Sequence, residues 1–145
     1  MALYEWDPAL ETGNATIDDQ HRMLFALAND LADAIASCTV TDEGICEEDE
    51  NTLANAIYGL TGYCVEHFHD EEALMDAAGY PSLPTHRIFH ERLAAETLKR
   101  AADYFNDEGI IPESLAPFFT EWLAGHIRRE DMRFAAYLRE QESAR

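Results

Sequence analysis

The sequence holds a single lysine, Lys99, and only ten basic residues against 29 acidic ones, a formal net charge of −19 over 145 residues. A nucleic-acid duplex or an anionic membrane surface repels such a chain, so neither is an expected partner. No stretch approaches the roughly 18 consecutive apolar residues that a membrane span needs. The N-terminus lacks the basic start and apolar run of a secretory leader, so the expected location is cytoplasmic. The three cysteines, Cys38, Cys46 and Cys64, are odd in number and show no C-x-x-C spacing. Neither a complete disulfide framework nor a zinc ribbon fits them, and reduced thiols are the simplest reading. No strand pattern competes anywhere in the chain.

What remains is ordinary globular composition, 47% apolar and 27% charged, in a length that suits one domain over residues 1–145. Apolar positions recur at three- and four-residue intervals in four segments. The first runs from about Asp18 to Ser37, with its cap among Thr16, Asp18 and Asp19. The second runs from about Asn51 to Ala78 and is ended by Gly79. The third follows the Tyr80–Pro84 turn and reaches about Asn106; the fourth follows Gly109 and Pro112 and reaches about Glu140. Mostly short connections between four amphipathic helices predict an all-α, antiparallel up-down-up-down four-helix bundle. An N-terminal arm over about 1–17 is expected to be anchored by Trp6. The acidic stretch over about 38–50 reads as a solvated loop.

Five of the six histidines fall on the faces assigned to the core. His67 and Glu71 stand at i and i+4 on the second helix, and His86 and His90 do so on the third, so each pair shares one face. On the fourth helix His126 and Asp131 are five apart, a looser match that requires a little local unwinding or long-reaching rotamers. His21 supplies the first helix's contribution. Glu71 and Asp131 carry the physical argument, because a carboxylate on an apolar face is costly unless something positive neutralises it, and no lysine or arginine lies on these stripes. A metal supplies that charge. Mixed imidazole and carboxylate donors suit first-row transition ions rather than magnesium or calcium, without selecting among iron, manganese and zinc.

Seven donors exceed the needs of one tetrahedral ion, which implies two metals. Two octahedral ions offer twelve places; five histidines, two bridging carboxylates and a bridging oxide or hydroxide leave one, enough for a small diatomic ligand. A carboxylate-rich di-iron bundle would instead use four carboxylates and two histidines. The balance here favours the lower-valent metal, and therefore binding chemistry ahead of strongly oxidising chemistry.

The ordered set of Trp6, Thr12-Gly13, Ile17-Asp18-x-Gln20-His21, Tyr63-x-x-x-His67-Phe68-x-x-Glu71-Glu72 with Met75, Tyr80-Pro81, His86-x-x-x-His90, Trp122-Leu123-x-x-His126-Ile127 and Asp131 resembles the hemerythrin family, in particular its single-domain bacterial members. The resemblance spans Trp6 to about Phe134. It implies that His86, His90 and His126 hold one iron and His21 and His67 the other. Glu71 and Asp131 would bridge them, and O₂ would bind at the open position of the second iron. Leu123 matches the family position that overhangs the gas. Leu24, Phe25, Phe68 and Ile127 are candidates for the remaining lining, with plain core packing as the alternative reading. Trp122 and Tyr63 also match family positions, and both read first as core.

Glu72 reads as surface charge, His69 as exposed, and Cys64 as a small buried hydrophobe. The expected function is reversible dioxygen binding for carriage, storage or delivery, and no enzyme activity is expected. The alternatives are a di-iron enzyme reducing peroxide or nitric oxide, and an oxygen or iron sensor whose protein partner the sequence does not name.

Overall fold

The computed structural model describes residues 5–38, 40–106 and 113–144. Three of the four rods are single helices, α1 (Ala15–Ala36), α2 (Glu47–Ala77) and α3 (Leu83–Phe105). The fourth is α4 (Leu115–His126), a π-helical turn (Ile127–Asp131) and α5 (Met132–Ser143) in succession. α1 packs on α2 and α4, and α3 packs on the same two, closing a ring of four. This is the expected all-α four-helix bundle. The predicted start of the fourth helix after Gly109 and Pro112 lies outside the described residues; the rod is under way by Leu115, with Pro117 in its first turn, where a missing N–H costs least.

The interior divides into two apolar clusters. One holds Leu24, Phe25, Leu31, Leu60, Phe68, Leu93, Phe119, Leu123 and Ile127 among others, and the other holds Ile17, Met75, Leu83 and Phe134. Along α1 the chain passes from the smaller cluster at Ile17, through His21, to the larger at Leu24. Along α2 it passes the other way, from Cys64 through His67 and Glu71 to Met75. On α3 the order is again Leu83, His86, His90, Leu93, and on the fourth rod Leu123, His126, Asp131, Phe134. The alternation makes successive rods antiparallel. It also places every histidine–carboxylate position in one polar layer between two apolar ones.

Several boundaries differ from expectation for identifiable reasons. The cap of α1 is Asn14, whose side chain accepts from the Ile17 N–H at 3.1 Å. Asp18 is instead buried and turned back to the arm, accepting from the Thr12 N–H and hydroxyl, each at 2.8 Å, and from the Gly13 N–H at 3.1 Å. Three donors on one carboxylate make Asp18 the arm's tether. Asp18→Ala is therefore expected to cost about 1.5–3 kcal/mol, as for a lost hydrogen bond to a charged group, visible as a lower denaturant midpoint. Trp6 is where expected, packed against the larger cluster, edge-on to Phe25 at 5.9 Å with the Arg22 guanidinium 4.9 Å from its ring.

The acidic stretch is not simply a loop. A short antiparallel ladder pairs Val40–Thr41 with Gly44–Ile45, turned at Gly44 with φ +100°. α2 then begins at Glu47, so that Glu47, Glu48, Asp49 and Glu50 form its first turn. Carboxylates there face the positive end of the helix dipole, which is why the helix starts earlier than its apolar stripe. At the other end Gly79, with φ +66°, donates to the Asp76 carbonyl while Tyr80 reaches back to Met75, closing α2 as a Schellman turn. All three cysteines are free thiols, and burial pushes the Cys64 thiol up to about 12, so it behaves as a small hydrophobe.

Candidate metal centre

The π turn decides whether the fourth rod can contribute two donors. In a regular α-helix, residues five apart are rotated by about 140° beyond a full turn and so point to different faces. One i→i+5 turn removes that divergence and returns Asp131 to the face of His126. The His126 Nε2 and Asp131 Oδ1 lie 3.1 Å apart. The other two pairs need no such device, since His67 with Glu71 and His86 with His90 sit at one-turn spacing on regular helix.

All seven side chains meet. His21 and Glu71 are fully buried, and His67, His86, His90, His126 and Asp131 are nearly so. The two oxygens of Glu71 divide the histidines between them. Oε2 faces His21 at 3.4 Å and His67 at 3.2 Å, while Oε1 faces His86 at 2.8 Å and His90 at 3.3 Å. Asp131 repeats the division, with Oδ2 3.1 Å from His21 and Oδ1 3.1 Å from both His86 and His126. Two donor groups result, Glu71, His86, His90, His126 and Asp131 in one and His21, His67 and Glu71 in the other. Within each, one donor atom per residue lies within 4.8 Å of every other.

These contacts are too many and too poorly aligned to be a hydrogen-bond network. Both oxygens of Asp131, Glu71 Oε2, His21 Nε2 and His90 Nε2 are buried without a hydrogen-bond partner. His86 and His126 even bring their Nε2 atoms to 3.1 Å of each other. Lone pairs aimed at shared points rather than at donors are what a cation requires, and leaving them unmatched is otherwise costly. The protein's own charges respond in the same sense. Burial drives His21 and His86 down, but contacts with Asp131 and Glu71 outweigh it and lift each to about 9. Burial likewise opposes ionisation of Glu71, yet the four histidines around it hold its carboxyl well below the usual range. Asp131 is also held low, against both burial and the Glu71 charge, chiefly by His126.

Partners beyond the seven orient the rings. His67 Nδ1 donates to Gln20 Oε1 at 2.8 Å, and the Gln20 amide donates to Asp70 at 2.8 Å. His90 Nδ1 donates to Glu72 at 3.1 Å, and Arg87 donates to the other oxygen of Glu72 at 3.1 Å. Glu72 is thus not simple surface charge: it is one-fifth exposed and touches a histidine of the cluster. Sequence spacing alone could not reveal this, because the contact crosses from α2 to α3. Trp122 stacks on His126 with ring centroids 4.5 Å apart, and Phe68 stacks on His90 at 4.0 Å. Trp122, read first as core, therefore has a second role in fixing a ring. Tyr63 packs at the margin of the larger cluster.

Leu24, Phe25, Phe68, Leu123 and Ile127 are all buried in the larger cluster, and Phe68 touches two of the histidines. His69 is exposed, as expected. His69→Ala should leave metal content unchanged and stability within about 0.5 kcal/mol of the parent, checked by metal analysis and thermal melting.

Comparison with known proteins agrees with this geometry. Residues 12–138 match the family described as Hemerythrin HHE cation binding domain. A bacteriohemerythrin of Stenotrophomonas maltophilia (strain R551-3) is 32% identical over 138 residues, covering 93% of this chain and 81% of the relative. A bacteriohemerythrin of Pseudomonas aeruginosa (strain LESB58) is 30% identical over 146 residues, covering 99% and 86%. A myohemerythrin of Theromyzon tessulatum is 29% identical over 135 residues, covering 93% of each chain. Among solved structures, a crystallised wild-type hemerythrin superposes with a TM-score of 0.80 at 27% identity, over 94% of this chain and 98% of that one. With a family match over most of its length and relatives aligned almost end to end, the chain belongs to the hemerythrin family.

Proposed function

We propose that this protein binds dioxygen reversibly at a non-haem di-iron centre, for carriage, storage or delivery. The observation that carries the reading is the division of the carboxylate oxygens. Glu71 and Asp131 each turn one oxygen to the two-histidine group and the other to the three-histidine group. Two bridging carboxylates need that disposition. His86, His90 and His126 would hold one iron and His21 and His67 the other. When bound, the centre supplies two electrons and an open coordination position for the gas.

The rest is the work of the chain. Five neutral imidazoles and two carboxylates would offset only half of the charge of two ferrous ions, so the site is less anionic than a carboxylate-rich one and favours the reduced state. The larger apolar cluster keeps water from the two-histidine side, and Leu123, fully buried one turn before His126, is assigned to that barrier with Leu24, Phe25, Phe68 and Ile127. Water there would speed irreversible oxidation of the reduced centre. Leu123→Ala opens space and should shorten the lifetime of the oxygenated form severalfold at unchanged metal content. A lifetime equal to the parent's would remove Leu123 from the barrier.

An oxygen electrode tests the function. Anaerobically reduced protein is expected to take up one O₂ per chain and release it under vacuum through repeated cycles. Uptake that is not recovered on evacuation would contradict a carrier, and sustained turnover of peroxide or nitric oxide above free ferrous iron would favour the enzyme.

A further inference from the structure

The two donor groups are backed by side chains of different charge. Behind the two-histidine group, His67 donates from Nδ1 to a neutral amide oxygen, Gln20 Oε1, at 2.8 Å. Behind the three-histidine group, His90 donates from Nδ1 to a carboxylate, Glu72 Oε2, at 3.1 Å. In both rings Nε2 is the atom turned to Glu71, at 3.2 Å from His67 and 3.3 Å from His90. The outer partner therefore acts on the donor atom through the ring. An anionic acceptor draws the Nδ1 proton, moves electron density to Nε2 and makes that nitrogen a stronger donor; a neutral amide does so much less.

We infer that Glu72 is a tuning residue that makes the two metal positions unequal, raising the preference of the three-histidine position for the more highly charged ion. The inference rests on the two-metal reading above. Arg87 sets the strength of the effect. Its Nε donates to Glu72 Oε1 at 3.1 Å while its own side chain is about half exposed, so it partly offsets the carboxylate charge without burying it. Asp70 stands behind Gln20, but it acts only through the intervening amide, which it contacts at the nitrogen rather than at the oxygen His67 uses. The carboxylate on one side and the amide on the other thus form a built-in asymmetry. It assigns the higher oxidation state, or the first ion to load, to the His86, His90 and His126 side.

Glu72→Gln separates charge from position, because the amide oxygen can still accept from His90 Nδ1 while the negative charge is gone. Glu72→Ala removes both. Arg87→Ala leaves the carboxylate and removes its counter-charge. Two readouts are needed: stepwise Co(II) binding to the metal-free protein, and the reduction potential of the iron-loaded protein. Glu72→Ala is expected to weaken the tighter Co(II) step by about 10- to 100-fold, as outer-partner losses generally do, with Glu72→Gln between it and the parent. Glu72→Gln should raise the potential, since the ferric state loses a stabilising charge, and Arg87→Ala should lower it. A merely structural role would move both variants in the same direction.

If the parent binds two Co(II) and Glu72→Gln matches it in both the tighter step and the potential, the inference fails and the two-metal reading stands. Shifts of the same sign in Glu72→Gln and Arg87→Ala overturn the inference as well. A parent that binds only one Co(II) overturns the two-metal reading, and the inference with it.

Discussion

Glu71→Ala is expected to reduce bound iron from two per chain to well under one. Glu71 is the side chain shared by both donor groups, with two histidines on each of its oxygens. In the proposed two-iron centre its removal would take a bridge from both ions at once, and it takes a negative charge from a fully buried site. The loss in affinity should exceed the roughly 10- to 100-fold typical of outer partners, because here a donor atom itself is gone. Asp131→Ala should act in the same direction but less strongly, since Asp131 faces three histidines where Glu71 faces four. The metal-free variant should also be less stable than the metal-free parent. Breaking a buried ionic set by removing one member costs about 3–5 kcal/mol. Metal analysis after gel filtration, together with melting of the metal-free forms, separates the two effects. Retention of two irons by Glu71→Ala would mean that the bridging assignment is wrong.

Metal affinity should climb steeply with pH. In the metal-free protein burial by itself would hold His21 and His86 neutral, but Asp131 and Glu71 reverse this and raise both from 6.5 to about 9. At pH 7 both rings carry a proton that a metal must displace. Each displaced proton makes apparent affinity rise about tenfold per pH unit, so two give about 100-fold per unit in the window below 9. The carboxylates add nothing there, because both are held ionised far below it. The stability of the metal-free fold runs the opposite way. For a histidine raised in the folded state, the stabilisation is fully present below 6.5 and is lost as pH rises through 9. The gap in melting temperature between metal-loaded and metal-free protein should therefore widen from pH 6.5 to 9. A gap independent of pH would contradict the proton count.

The rods and the convergence of the seven side chains are readable from spacing because both depend on local geometry. Apolar residues at helical intervals fix which face turns inward, and donors one turn apart on that face must share it, as His67 with Glu71 and His86 with His90 do. The five-residue spacing of His126 and Asp131 is compatible with either local unwinding or long-reaching rotamers, and the fourth rod takes the first course with its π turn. Other features depend on contacts between rods, which no single helix's pattern encodes. Glu72 reads as surface charge because on α2 it lies beside the face of His67 and Glu71, and only the approach of α3 brings His90 to it. Gln20 precedes His21 in the motif, yet its partner is His67 on another rod. The early start of α2 has no apolar signature for a different reason. Its first turn is held by helix-end electrostatics instead of apolar burial, so the stripe that marks the rest of the helix is missing there.

The most direct single test is iron per chain combined with the visible spectrum of anaerobically reduced protein, recorded before O₂, after O₂ and after O₂ is pumped away. Two irons, with a coloured band that appears on oxygenation and vanishes on evacuation, are the predicted result. Two irons that oxidise once and keep the oxidised spectrum would contradict reversible dioxygen binding.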